Sequence, residues 1–285
     1  MRGAALSMTI LRPRSTAEAL RALAETPDAL PLSGGTDLMV SWNMGLLNGR
    51  RIVDISGLRD WSKISPCPGG LRIGALATHS AIRSHPEVQA HFPLLAEACA
   101  GIGALQIQNR GTLGGNIANA SPAGDTFPAL AVYEAVVRTA FAGGSRTIPF
   151  LGIFAGVKKT TLHPGELIES VELTFPQPKP GRRLYRKVGT RAAQAISKTA
   201  AAGLLWFAKD RSVAQIRFAL GSMAPTVRRL RAAEAFLAGK RLDEPVIREA
   251  CALLERDVSP IDDIRSTKAY RLRVSQNILR GFLQS

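Results

Sequence analysis

From Ile107 to Asp125 the chain reads I-Q-N-R-G-T-L-G-G-N-I-A-N-A-S-P-A-G-D. Gly111, Gly114 and Gly115 fall within five residues, so backbone can approach a ligand where a Cβ would collide. Around Leu113 stand Thr112, Asn116, Asn119 and Ser121, short side chains that can hydrogen-bond phosphate or ribose oxygens. Asp125 adds a charged acceptor for hydroxyl or ring N–H groups. The stretch holds no strong base, no paired carboxylates and no set of metal ligands. Its composition suits holding a molecule that brings its own chemistry. A Gly-Asn-Ser-Pro-rich run is also the ordinary make-up of a turn-rich loop, and alone it does not separate the two readings.

A second glycine pair lies upstream. Leu30-Pro31-Leu32 is a short apolar strand candidate running into Ser33-Gly34-Gly35-Thr36-Asp37, with Leu38, Met39 and Val40 after it. A strand that ends in a glycine turn opening a helix leaves N–H groups pointing outward without partners, a common seat for phosphate. This is not the G-x-G-x-x-G dinucleotide fingerprint. Gly101-Ile102-Gly103 imitates the start of that motif, but Gln106 stands where the third glycine belongs.

The chain has 285 residues, enough for two domains, with 46% hydrophobic and 21% charged residues, as in a folded globular protein. The apolar run Ala200 to Ala208 lies between Lys198 and Lys209 and is too short to span a bilayer. The N-terminus has too short an apolar core for a secretory leader, so a cytoplasmic protein is expected, with Met8 a second possible start. Cys67, Cys99 and Cys251 are odd in number and far apart, which reads as three reduced thiols. Any iron-sulfur centre would then sit on another chain. Lys and Arg outnumber Asp and Glu by 37 to 22, a formal charge of +15. The basic residues are nevertheless scattered, and three Tyr and three Trp offer few platforms for stacking bases, so no nucleic-acid partner is expected. Two clusters, Arg182, Arg183, Arg186, Lys187 and Arg191, then Arg228, Arg229 and Arg231, read as a solvated face, a phosphate neighbour or a docking surface for an acidic subunit.

Ser15 and Glu18 form a capping box that opens the first helix, stopped by Pro27 and Asp28. Strands are expected at Arg51–Ile55 and Leu71–Ala75, and helices from Thr78 and from Pro86, the latter presenting Leu94, Leu95 and Ala98. His79 and His85 stand at helix entries and read as capping or exposed residues. Phe127–Val137 is apolar, followed by strands over Ala135–Phe141, Arg146–Pro149 and Leu167–Leu173. Pro176, Pro178, Pro180 and Gly181 mark a linker, so domains are expected at 1–178, divided near 58, and at 179–285. The last part reads as strands over Leu184–Lys187, Ala195–Phe207 and Ser212–Ser222, the second being Ala-rich and ambiguous with helix. Helices are expected over Val227–Ala238, Asp243–Glu255 and Thr267–Leu283, the last with a stripe of Tyr270, Val274, Ile278 and Phe282.

Taken together these residues resemble the FAD-binding medium subunits of the molybdenum hydroxylases, the family of xanthine dehydrogenase and carbon monoxide dehydrogenase. Ser33-Gly34-Gly35-Thr36-Asp37 is similar to that family's A-G-G-T-D loop, and Thr112-Leu113-Gly114-Gly115-Asn116 to its T-I-G-G-N loop. Leu71–Ser80 and Pro260–Arg271 look like further landmarks, so the resemblance spans nearly the whole chain. It implies an α+β fold: a two-part FAD domain of the vanillyl-alcohol oxidase type, then an antiparallel sheet packed on a helix bundle. It implies that the loop entered from Leu30, Pro31 and Leu32, and the loop from Gly111, clasp the FAD pyrophosphate through amides and the hydroxyls of Thr36 and Thr112. Ser121 and Asp125 would lie nearby, Asp125 towards the ribityl and adenosine side. Leu167 would pack on adenine, and Lys187 would stand close to the isoalloxazine ring. Ser33 departs from the family's usual Ala by a hydroxyl. These loops offer no His or Cys for a covalent link, so noncovalent FAD is expected.

By the same resemblance this would be an oxidoreductase subunit with no catalytic side chain of its own. Molybdopterin would reside on a large partner, two [2Fe-2S] clusters on a small one, and electrons would leave for NAD, a quinone or oxygen. A heterotrimer or a dimer of heterotrimers follows. Ala219–Pro225 looks slightly more like the purine-type members, which favours an N-heterocycle as the substrate of the complex. The rival readings are a stand-alone flavin oxidase and a basic nucleic-acid-binding or scaffold protein.

Overall fold

The computed structural model describes residues 9–285. The readings made on the first eight residues, the missing leader and the start at Met8, lie outside that range. Strand β1 (Thr9–Leu11), helix α1 (Thr16–Glu25), β2 (Leu30–Leu32), helix α2 (Leu38–Asn43) and β3 (Arg51–Asp54) form the first unit. Its three strands run parallel in the order β1-β3-β2. Ser15 caps α1 by accepting from the Glu18 amide, but the Glu18 carboxylate accepts from the Arg14 amide rather than from Ser15, so the box closes one residue early. Ala19 and Leu23 of α1 pack on Val53, Ile55, Trp61 and Leu167.

Next come β4 (Ile64–Cys67), β5 (Gly70–Gly74), helices α3 (His79–Ser84), α4 (Pro86–His91), α5 (Pro93–Ala100), α6 (Leu105–Gln108), α7 (Leu113–Ala118) and α8 (Phe127–Val132). Strands β6 (Val136–Phe141), β7 (Gly144–Pro149), β8 (Phe154–Gly156), β9 (Lys159–Thr160) and β10 (Leu167–Thr174) complete this part. An antiparallel sheet in the order β4-β5-β10-β6-β7 carries the helices, and β8-β9 is a separate hairpin. The sequence signals for β4, β8 and β9 are weak: each is short, and β4 contains Pro66.

The last part is antiparallel in the order β11-β12-β13-β14: β11 (Arg182–Val188), β12 (Thr199–Phe207), β13 (Val213–Gly221) and β14 (Arg228–Arg229). Helices α9 (Arg231–Leu237), α10 (Glu244–Leu253) and α11 (Lys268–Gln284) cover one face. The Ala-rich β12 is a strand because both its faces are buried: Ala202, Leu204 and Trp206 join the core around α8, while Ala201 and Leu205 face the helices. At Gly203 a Cβ would come within 2.9 Å of the Phe282 ring, which is how closely α11 lies on the sheet. Among the described residues no helix is long and apolar enough to cross a membrane.

Two expectations need correction. The helix expected from Val227 begins only at Arg231, because Arg228 and Arg229 pair with β13 as its edge strand. Of the stripe expected on α11 only Phe282 is buried, Val274 and Ile278 being half-buried and Tyr270 exposed; the buried side runs through Arg271, Ser275, Leu279, Phe282 and Leu283. The polar members go inside because they have partners. Arg271 donates to the carbonyls of Lys198 and Ser222 and to Asp263, and Ser275 bonds Thr199 across 3.1 Å.

Candidate functional site

The two glycine loops meet. Ser33 Oγ lies 3.1 Å from Thr112 Oγ1, and a Cβ on Gly34 would stand 1.8 Å from the Arg110 carbonyl oxygen. Only glycine lets the loops approach so closely. Gly35 holds φ +77°, the left-handed conformation that turns the chain from β2 into α2. Among the described residues the amides of Gly34, Gly35, Thr36 and Asp37 find no protein acceptor, so the turn offers a row of unpaired N–H donors.

The second loop is fixed from behind. Its backbone is stitched to the strand-to-helix connection at Ala75–His79: Gly114 donates to Ala75 (2.8 Å), Leu113 to Ala77 (3.0 Å) and His79 to Gly111 (3.1 Å). Thr112 caps α7 by accepting from the Gly115 amide at 3.2 Å. The glycines therefore differ in duty. A Cβ on Gly114 would strike the Ala75 Cβ at 2.5 Å, so this glycine serves packing, whereas one on Gly115 would sit 2.9 Å from Thr112 Oγ1 and 3.0 Å from Ser33 Oγ, between the loops. Asn116 accepts from the Thr126 hydroxyl at 2.7 Å, and Ser121 accepts from Ala123 and Gly124 to turn the chain towards Asp125.

Beside the loops a cleft of about 260 Å³ opens between the first unit and the larger sheet, lined among others by Leu23, Pro31, Ser33, Gly115, Glu166 and Leu167. Leu30 and Leu32 do not line it; as members of β2 they pair with β3 and set the position of Pro31 and Ser33, which do. Its far wall is the His163–Glu166 turn. Glu166 accepts from Arg146 Nε (2.6 Å), Arg146 Nη2 (2.7 Å) and the His163 amide (2.8 Å), and also from the Thr139 hydroxyl. Burial alone would raise this carboxyl, but those donors outweigh it and hold it down at about 2.

On the other side of the loops Asp125 is buried and ion-paired with Lys187, Oδ2 to Nζ 2.7 Å. Lys187 also donates to the Gly101 carbonyl at 2.9 Å, and the Tyr185 hydroxyl donates to the Asp125 carbonyl at 3.1 Å. Asp125 Oδ1 is buried without a partner. Burial pushes the Asp125 carboxyl up, and Lys187 pulls it part of the way back. Lys187 is thus half of an ion pair rather than an isolated cation. The other basic clusters divide similarly: Arg182 holds the carbonyls of Phe282 and Leu283, and Arg229 is buried between Glu134, Glu234 and the Ala131 carbonyl.

His79 was expected as a cap or an exposed residue, but Thr78 does the capping and His79 is buried. Its Nδ1 lies 3.6 Å from Cys99 Sγ and its ring backs Gly111, where a Cβ would come within 3.1 Å. Burial lowers its pKa to about 4, so it stands neutral. Contacts distant in sequence, such as Arg146–Glu166, Tyr185–Asp125 and Lys158–Asn119, leave no local signal and escape a reading of the chain alone.

Free amides, a floor that a Cβ would fill and one orphaned carboxylate oxygen fit an extended ligand with a diphosphate in its middle. The model for the FAD binding domain in molybdopterin dehydrogenase matches residues 6–177, and that for the CO dehydrogenase flavoprotein C-terminal domain matches residues 183–285. The chain is 30% identical over 265 residues to the glyceraldehyde dehydrogenase medium chain of Sulfolobus acidocaldarius (93% of this chain, 92% of the relative). It is 30% identical over 280 residues to the carbon monoxide dehydrogenase medium chain of Hydrogenophaga pseudoflava (96% and 94%), and 30% over 271 residues to the putative xanthine dehydrogenase FAD-binding subunit of Escherichia coli (94% and 92%). Among solved structures, the cyanide-inactivated Cu,Mo-CO dehydrogenase superposes with a TM-score of 0.91 at 27% identity, covering 99% of this chain and 98% of that one. Quinoline 2-oxidoreductase from Pseudomonas putida gives 0.90 at 26% identity, covering 100% and 97%. The expected α+β plan and family are therefore those observed, and the chain belongs to the molybdopterin dehydrogenase family of oxidoreductases as its FAD-binding flavoprotein component.

Proposed function

We propose that this chain is the electron-transfer subunit of a molybdenum-containing hydroxylase or dehydrogenase, receiving electrons from [2Fe-2S] clusters on a small partner and delivering them to NAD, a quinone or oxygen. The observation that carries the reading is the row of unpaired amides over Gly34–Asp37, in a loop whose Ser33 hydroxyl meets that of Thr112 on the second loop. These amides, with the hydroxyls of Ser33, Thr36 and Thr112, would hold the diphosphate. Leu167 and Pro31 would shelter adenine in the cleft, and Asp125 and Lys187 would stand at the flavin end. Noncovalent FAD would supply the redox chemistry. The chain's residues contribute position, exclusion of water and the local field. A molybdopterin-bearing large subunit and an iron-sulfur small subunit are the partners this implies, in a heterotrimer or a pair of heterotrimers in the cytoplasm. The family matches end at 177 and resume at 183, which supports dividing the chain near 178.

An N-heterocycle such as a purine remains the substrate class proposed for the complex, to be decided on the large subunit. Ala219 and Met223, in the segment that suggested it, are buried in the core, and relatives named for glyceraldehyde, xanthine and carbon monoxide are equally similar. Anaerobic spectroscopy tests the electron route. With both partners present, substrate should bleach the flavin absorbance, and the chain alone with the same substrate should not. Bleaching by the chain alone would support a stand-alone flavin oxidase instead.

A further inference from the structure

Asp37 poses an electrostatic problem that the glycine loops do not solve. It closes the row of unpaired amides, so a doubly negative diphosphate settling on that row would come to lie beside the residue that bears this carboxylate. A like charge there opposes binding. The answer comes from the β8-β9 hairpin. Lys158, at its tip, is 3.6 Å from Asp37 Oδ1 and donates to Asn119 Oδ1, while Asn119 Nδ2 donates to the same Asp37 oxygen at 3.2 Å. The Lys158 amide also donates to the Ala120 carbonyl at 3.0 Å. One hairpin residue thereby ties the Ser33–Asp37 turn to the end of α7.

The placement is held under backbone strain. Lys158 has φ +56° and Ala120 φ +46°, left-handed conformations that side chains with a Cβ adopt reluctantly. The hairpin is anchored by Phe154, whose ring packs on Phe127 and Phe150 with centroids 4.9 and 5.2 Å apart. Among the described residues Lys158 is the cation that forms an ion pair with this turn.

We propose that Lys158 masks the charge of Asp37, allowing the cofactor's diphosphate to bind beside it. Lys158 is a positioning residue, acting through Asp37 and Asn119. The inference rests on the loops being the FAD seat.

The test is FAD affinity of the full chain, read by flavin fluorescence, in a charge cycle. Lys158→Gln, which keeps a hydrogen-bonding side chain without charge, should weaken FAD binding roughly fivefold, the upper range for a half-exposed ion pair. Lys158→Arg should stay near wild type, and high salt should narrow the gap. Adding Asp37→Asn to Lys158→Gln should restore most of the affinity, because the unmasked charge is gone. Equal affinity of wild type and Lys158→Gln overturns the proposal, as does a loss that Asp37→Asn fails to rescue, which would mark a mechanical role for the hairpin. If wild type binds no FAD, the reading of the site falls and this inference with it; if wild type binds FAD and the cycle is flat, only this inference falls. Thermal unfolding of each variant checks that the fold is kept.

Discussion

At the scale of single residues, glycines that look alike in the sequence do different work. Gly114 is pressed on Ala75 and Gly115 lies between the hydroxyls of Ser33 and Thr112. Gly114→Val should therefore lower the melting temperature and FAD retention together, by unseating α7 rather than by colliding with the ligand. Gly115→Ala should leave the melting temperature near wild type, since the roughly 1 kcal/mol by which alanine suits a helix better offsets the shift forced on the Thr112 and Ser33 hydroxyls, while weakening FAD binding. Thermal melts and flavin titration on both variants separate the two duties. The Asp125–Lys187 pair calls for a similar distinction. Lys187→Ala leaves a buried carboxyl that can take up a proton, so the net charge beside the flavin changes little. Asp125→Asn leaves Lys187 uncompensated and should raise the flavin midpoint potential, on the order of 30 mV for each ~1.4 kcal/mol of favoured reduction. Spectroelectrochemical titration should show the larger shift in Asp125→Asn; a larger shift in Lys187→Ala would contradict the pairing. The glycines and hydroxyls that the structure brings together were legible in the sequence because two motifs carry them, and Asp125 because it ends the glycine-rich stretch. Lys158 and His79 were not, since their roles arise only from contacts made across the fold.

At the scale of elements, the His163–Glu166 turn is held by one carboxylate, and that has a pH signature. Glu166 is depressed to about 2 from an ordinary 4.5, so its contribution to stability is complete above the unfolded value and is lost as pH falls towards 2. His79 acts in a higher window. Its folded value near 4 lies below the ordinary 6.5, so the unfolded chain binds the proton more readily and stability declines as pH falls from about 6.5 to about 4. Denaturation followed from pH 7 to 3 should show that Glu166→Gln flattens the lower part of the curve and His79→Gln the upper part. Curves parallel to wild type would remove these assignments. Most elements were legible as apolar runs between turn signals, including the strand ending at Leu32 and the helix capped by Thr78. The errors have physical causes. In α11 the sequence shows an apolar stripe at helical spacing, yet Arg271 and Ser275 occupy the buried side because β12 and the Asp263 turn supply their partners. At Arg228 and Arg229 sheet pairing with β13 overrides a helix-forming sequence.

At the scale of the molecule, the two parts are joined by packing and by buried charge. Helix α8 fills the space between the larger sheet and β12-β13, and Arg229 and Arg217 reach from the second part to Glu134 and to the carbonyls of Ala131 and Val132. This joint sets where Lys187 of β11 meets Asp125 of the first part, so the pair proposed to stand at the flavin end forms only when both parts are docked. The overall plan was legible because the Pro-rich stretch near 178 separates two different patterns; the docking was not, because Arg217 stands outside both basic clusters and Arg229 lies in one whose composition suits a solvated face, a phosphate neighbour or a docking surface alike. FAD is proposed to lie on the two glycine loops and in the cleft beside them. The most direct measurement is flavin absorbance of the purified full chain after reconstitution with FAD, beside Gly34→Val, whose side chain would force the loops apart at Arg110. Binding on these loops predicts stoichiometric flavin in the wild-type chain and none in the variant. Absence of flavin from the wild type, or equal retention by Gly34→Val, would contradict it.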